Sequence, residues 1–149
     1  MYKTIVVGTD GSATAGQAVS QAAALARATG AALHIVHAFR PISAWAGVAP
    51  DGSAAALSVG LAEDTERNAR AVLDRAAAAV REEGIEVETH LCGGEAAEAL
   101  LDTAEQVNAD LLVVGNRGMT GARRFILGSV PNKVSHHCPC SLLIAYTTG

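Results

Sequence analysis

The stretch Ala109–Ser129 reads ADLLVVGNRGMTGARRFILGS. Asp110 to Gly115 is the most apolar short run in the chain. A run of that length, closed by glycine, reads as a strand buried on both faces. From Gly115 to Gly128 the chain is punctuated by glycines, which let main chain approach a ligand closely. Ser129 is expected to cap a short helix running to about His136, with Pro131 in the first turn, where no N–H is needed. Strand, glycine loop and helix N-terminus together make an anion site. The free N–H groups near Gly128, Ser129 and Val130 point outward with the positive end of the helix dipole. Arg117, Arg123 and Arg124 add positive charge nearby. The loop is neither a Walker A, because no G-K-[ST] follows, nor G-x-G-x-x-G. Glycine spacing alone also fits a strand-to-helix loop that holds no ligand.

Working outward, the same alternation of periods runs along the whole chain. Tyr2 to Gly8 is a buried strand; Asp10-Gly11-Ser12 is a turn. Ser12 then caps a helix over 12–29, striped by Ala15, Val19, Ala22 and Ala26 and stopped by Gly30. Ala31 to Phe39 is a second strand. Arg40 to Gly60, rich in Pro, Gly, Ser and Ala, has no clear period and reads as a long loop, a candidate lid carrying the single tryptophan, Trp45. A helix is expected over 61–83. Ile85 to Cys92 alternates apolar and charged residues as an edge strand does. Gly93-Gly94 leads into a helix at 95–108, and Ser141 to Thr147 is a last strand. Strands alternating with helices predict a doubly wound α/β fold: one parallel sheet with helices on both faces, over residues 1–149. In such sheets ligands sit beyond the carboxyl ends of the strands, which brings forward Thr9-Asp10 and the Gly115–Ser129 loop.

Composition sets the bounds. The chain has 149 residues, of which 50% are hydrophobic and 17% charged, which excludes disorder as the dominant state. A net charge of -4 with 3% aromatic residues excludes the basic face and stacking platforms of a nucleic-acid binder. No apolar run approaches a membrane span, and the N-terminal apolar run is too short for a signal-peptide core. Three cysteines, two of them nearly adjacent, do not form a disulfide framework, so a cytoplasmic location is expected.

Gly115-x2-Gly118-x9-Gly128-Ser129 resembles the G-x2-G-x9-G-[ST] nucleotide loop of the universal stress protein family. Ile5 through Ser12, Cys92-Gly93-Gly94, Ala109 through Gly115, and Ser129-Val130 through Pro139 are also similar to that family, in order, end to end except for about 40–60. The resemblance implies five parallel strands in the order 3-2-1-4-5, a homodimer, ATP binding and a sensor or regulatory role in stress response. It places Thr9 and Asp10 beside the ligand, with Asp10 on the ribose or a phosphate-bound Mg²⁺. It puts the Ala38 backbone at the adenine edge and Gly115 beside the ribose and α-phosphate. Arg117, Gly118, Gly128, Ser129 and Val130 belong around the phosphates. AMP and cyclic AMP are alternative ligands. The rival functions are a slow ATP hydrolase on the same site and a non-nucleotide interaction module.

Catalytic residues are not expected, since no Ser-His-Asp set, carboxylate pair or base beside the loop can be named. His136-His137-Cys138-Pro139-Cys140 invites a metal reading, but Cys-x-Cys beside two histidines is not a standard zinc spacing. His34, His37 and His90 read as packing or hydrogen-bonding groups, with His37 nearest the expected adenine side. The homodimer is expected through Ser141 to Thr147, an uncovered apolar edge.

Overall fold

The computed structural model describes residues 1–41, 53–116 and 127–147, and side chains in the long helix from residue 63 onward. Nine elements alternate: β1 (Thr4–Gly8), α1 (Ala13–Thr29), β2 (Ala32–Phe39), α2 (Ser53–Glu82), β3 (Val87–Gly93), α3 (Ala96–Gln106), β4 (Leu111–Gly115), α4 (Ser129–His137) and β5 (Ser141–Ala145). The strands form one parallel sheet in the order β3-β2-β1-β4-β5.

Strand period explains how the core divides. Successive side chains point to opposite faces. Ile5, Val7, Leu33, Ile35, Leu111 and Val113 therefore meet α1 and α2, packing with Val19, Ala22, Leu73 and Val80. Val6, Val36, Leu112 and Val114 face the other way, onto Ala97, Leu100, Ala104 and Val134 of α3 and α4. Each large aliphatic side chain fully buried in this way contributes about 1.5–3 kcal/mol. The inward face of α1 is almost all alanine (Ala18, Ala22, Ala23, Ala26), so this helix lies close on the sheet.

Local signals end the elements where the chain chemistry says they should. The Ser12 hydroxyl accepts from the Ala15 N–H at 3.2 Å, and Gly30 closes α1 with φ 73°. The expected helix stripes are largely buried, with Ala69, Leu73 and Val80 inward on α2 and Ala97, Leu100 and Ala104 inward on α3.

Three expectations are corrected. Helix α2 begins at Ser53, not near residue 61, so the Arg40–Gly60 segment is not a loop throughout. Ser53 through Leu57 is dominated by alanine, the best helix former, and that propensity outweighs the cost of about 1 kcal/mol for Gly60 inside the helix. Trp45 lies outside the described residues. Helix α4 is capped by Gly128, without a side-chain cap, and Ser129 is its first helical residue. The Gly128 carbonyl already accepts the first helical bond, from Asn132 N–H at 2.9 Å, so the helix starts one residue earlier than a serine cap requires. Finally, β5 ends at Ala145 rather than Thr147, because Thr147 turns back to bond Asn116.

Two polar contacts brace the ends. Beneath the sheet, the Asp110 carboxylate accepts from Lys3 N–H at 2.7 Å and Thr4 N–H at 3.0 Å. These backbone donors, Lys3 first, hold its pKa below the ordinary carboxylate value. On the surface, Lys133 of α4 donates to Glu95 at 2.8 Å and to Glu98 at 3.4 Å, joining α4 to the start of α3. The Glu95 bond is the main cause of a raised Lys133 pKa.

Candidate functional site

Strand order reverses between β1 and β4: β1 leads by α1 to β2 on one side, and β4 leads by α4 to β5 on the other. Their connections diverge, and a cleft opens above their carboxyl ends. It has a cavity volume of about 80 Å³ and is partly open to solvent.

The floor comes from the strand ends. Gly8 ends β1 and Gly115 ends β4. A Cβ on Gly115 would lie 3.4 Å from the Thr147 methyl and 3.6 Å from its hydroxyl, so the chain passes here with little room to spare. Val36, Leu100, Val114 and Pro131 make the apolar wall.

Polar groups gather on the β1 side. The turn after β1 is held by its own side chains. The Asp10 Oδ1 accepts from Ser12 N–H at 2.9 Å, and Gly11 N–H donates to the Thr9 hydroxyl at 3.2 Å. Gly11 has φ 81° and faces Val72 at 3.0 Å from an added Cβ, so the turn requires glycine for both shape and space. The Ser12 and Thr14 hydroxyls lie 3.2 Å apart on the rim. His37 Nδ1 is 2.7 Å from the Thr9 carbonyl, which can only accept, so Nδ1 carries the proton.

Thr9, Asp10, Ala38, Gly115 and Val130 line this one cleft together. Gly128 and Ser129 stand beside Val130 at the α4 N-terminus rather than in the lining itself. Arg117 and Gly118 lie outside the described residues, as do Arg123 and Arg124. Sequence reasoning did not single out Thr14, Leu100, Asn116 or Thr147. Asn116 proves central to the architecture. Its N–H donates to Ala145 O at 2.9 Å, its carbonyl accepts from Gly128 N–H at 3.3 Å, and its Oδ1 accepts twice from Thr147. One residue thus ties the end of β4 to the α4 start and to the segment after β5. Its place directly after Gly115 was the only signal available.

None of the thiols lines the cleft. Cys92, Cys138 and Cys140 are free. Cys138 and Cys140 Sγ are 3.8 Å apart, and burial, chiefly, pushes the Cys140 pKa up to about 12. Cys140 therefore stays a protonated, unreactive thiol near neutral pH.

Fold and cleft define a doubly wound α/β protein with its open site at a strand-order reversal. The family described as "Universal stress protein family" matches residues 1–145, and the chain belongs to that family. A universal stress protein of Thermus aquaticus is 35% identical over 144 residues, covering 97% of this chain and 98% of that one. The crystal structure of a universal stress protein in complex with cAMP is 33% identical, covers 99% of this chain and 98% of that chain, and superposes with a TM-score of 0.72. The universal stress protein from Archaeoglobus fulgidus in complex with dAMP is 27% identical over 96% of this chain and 97% of that one, with a TM-score of 0.59. No helix among the described residues is long and apolar enough to cross a membrane.

Proposed function

We propose that the chain, acting as one domain over residues 1–149, binds an adenine nucleotide in the cleft above β1 and β4, with ATP and Mg²⁺ as the ligand set. The observation that carries this reading is the meeting of Asp10, Gly115 and the α4 N-terminus at one reversal point, each from a different element. An apolar wall of Val36, Leu100 and Val114 suits a flat base, and Ala38, which lines the same cleft, suits its edge. Asp10, oriented by Ser12 N–H, suits a ribose hydroxyl or a phosphate-bound cation. The N–H groups at Ser129 and Val130 suit phosphate. Gly118 and Arg117 are proposed on the same phosphates from the loop motif. Two similar proteins have structures in complex with cAMP and dAMP, which supports an adenine ligand and keeps cyclic AMP as the second reading.

The nucleotide-bound protein acts as a sensor or regulator in stress response, as a cytoplasmic homodimer joined through β5, with at most slow hydrolysis. Free cysteines fit a reducing compartment. β5 is a sheet edge, with Ile144 37% exposed on it and Tyr146, just beyond it, 73% exposed, and an apolar edge of this kind invites pairing.

Mass spectrometry of the supernatant from denatured, freshly purified protein tests the reading. ATP, AMP or cyclic AMP released in near-equal amount to protein supports it. No released nucleotide, together with no calorimetric heat on adding each of the three with and without Mg²⁺, overturns it.

A further inference from the structure

The sheet edge opposite β5 carries a second cluster, none of whose residues lines the cleft. His34 on β2 pairs in register with Glu88 on β3, and His90 follows Glu88 by two residues. Period two puts Glu88 and His90 on one face of β3, and His34 reaches that same face from β2. His34 Nδ1 and His90 Nε2 are 2.9 Å apart. The Glu88 carboxylate stands over them, 3.8 Å from His34 Nδ1 and 3.9 Å from His90 Nε2. One donor atom from each of the three residues falls within a sphere of contacts no wider than 4.8 Å.

Two imidazoles facing each other this closely share one proton: one nitrogen carries it and the other offers a lone pair. When the donating imidazole carries its proton on its outer nitrogen instead, a divalent ion between the rings engages both lone pairs and the carboxylate at once. Zinc at ~2.0–2.2 Å from nitrogen and oxygen donors sets tetrahedral donors roughly 3.3 Å apart. The observed separations bracket that value. The nitrogens need to part by a few tenths of an ångström, and the carboxylate to close by about half an ångström. The side chains are built for that adjustment. Those of His34 and His90 are 11% and 20% exposed and held by the strands, whereas that of Glu88 is 69% exposed and free to swing. Among the described residues, the two imidazoles are the only ion-pair partners of Glu88, so no lysine or arginine competes for it. Two imidazoles and one carboxylate suit zinc and its first-row neighbours rather than calcium or magnesium. A set of three protein ligands leaves the fourth position to water.

We propose that His34, Glu88 and His90 form a divalent transition-metal site of the zinc type that clips β3 to β2 at the sheet edge, independent of the nucleotide cleft.

The test uses the full chain, stripped with a chelator and titrated with Co²⁺ followed by visible absorption, then with Zn²⁺ by calorimetry. One saturable equivalent is expected, with Co²⁺ displaced by Zn²⁺ and no thiolate charge-transfer band. Changes outside the ligand set at metal sites commonly weaken binding ~10–100-fold, so Glu88→Gln and His90→Gln should each weaken it at least that much. Glu88→Gln alters an exposed side chain and keeps the fold intact. Saturating Zn²⁺ should raise the Tm of the parent and leave that of Glu88→Gln nearly unmoved. A His136→Gln, His137→Gln double variant should bind as the parent does. Three results overturn the proposal: no binding up to millimolar metal, which leaves a hydrogen-bonded histidine pair only; affinity unchanged in both Glu88→Gln and His90→Gln; or a thiolate band, which moves the metal to the cysteines.

Discussion

Asn116 Oδ1 accepts two hydrogen bonds from Thr147, one from its backbone N–H and one from its hydroxyl, each 2.9 Å long. Thr147 is 2% exposed, so both donors depend on this one oxygen. The same asparagine holds Gly128, and with it the start of α4, against the end of β4. The wall of the cleft is therefore positioned by a residue that need not touch a ligand. Asn116→Ala should strand the buried donors at a cost of about 1–3 kcal/mol. It should also weaken nucleotide binding by more than Thr147→Val does, since alanine removes the acceptor of both Thr147 donors, N–H and hydroxyl, whereas valine removes only the hydroxyl. Chemical denaturation together with calorimetry on both variants checks the two effects separately.

A bulky acid at the α4 N-terminus should oppose phosphate directly. Gly128→Glu places volume and like charge where the proposed ligand's phosphates sit. Charge-assisted hydrogen bonds contribute ~1.5–3 kcal/mol each, so the loss of two lowers ATP affinity on the order of 10²–10⁴-fold. Unchanged ATP affinity in a folded Gly128→Glu protein would count against the assignment of this helix end.

The β5 edge makes a separate prediction. Ile144 is 37% exposed on a strand paired on one side by β4. Ile144→Lys puts a charge on that edge, the common protection of exposed strands, without touching the β4 ladder. Sedimentation at micromolar concentration should show a dimer for the parent and a monomer for the variant. A monomeric parent sinks the proposed interface.

Asp110 sets a pH dependence. Its carboxyl is held low by the Lys3 and Thr4 N–H groups, so it is more acidic in the folded than in the unfolded chain. Such a group stabilises the fold where both states are ionised, and the contribution disappears as pH falls through its folded pKa. Asp110→Ala should lower the Tm at neutral pH. The gap to the parent should then close as the pH drops below the ordinary carboxylate range, because the parent loses the contact too. A gap that stays constant down to strong acid is the contrary result.

Particular residues show which features were legible. Ser12 and Gly30 bound α1 because capping depends on the residues at the helix ends and their immediate neighbours. Buried runs such as Leu111 to Val114 announce themselves because both faces must be apolar. The start of α2 was not legible: Gly60, with proline and glycine upstream, masked a helical alanine run that begins at Ser53. The α4 cap lies one residue before the serine that the sequence favours, since serine and glycine both suit that position and the backbone chooses between them. In the candidate site, the positions ending β1 and β4 were legible from their place in the alternation, whereas Thr14, Leu100 and Thr147 carry no such mark.

What the sequence by itself determined is the order and kind of the elements, because strand burial, helix period and caps are written within a few neighbouring residues. Tertiary structure alone decided which distant residues meet. The parallel register that sets Gly115 opposite Ala145 carries Thr147 to Asn116, and the register of Leu33 with Val87 carries Glu88 and His90 to His34. Those pairings depend on strand alignment across the sheet, where a one-residue slip would turn each side chain to the other face.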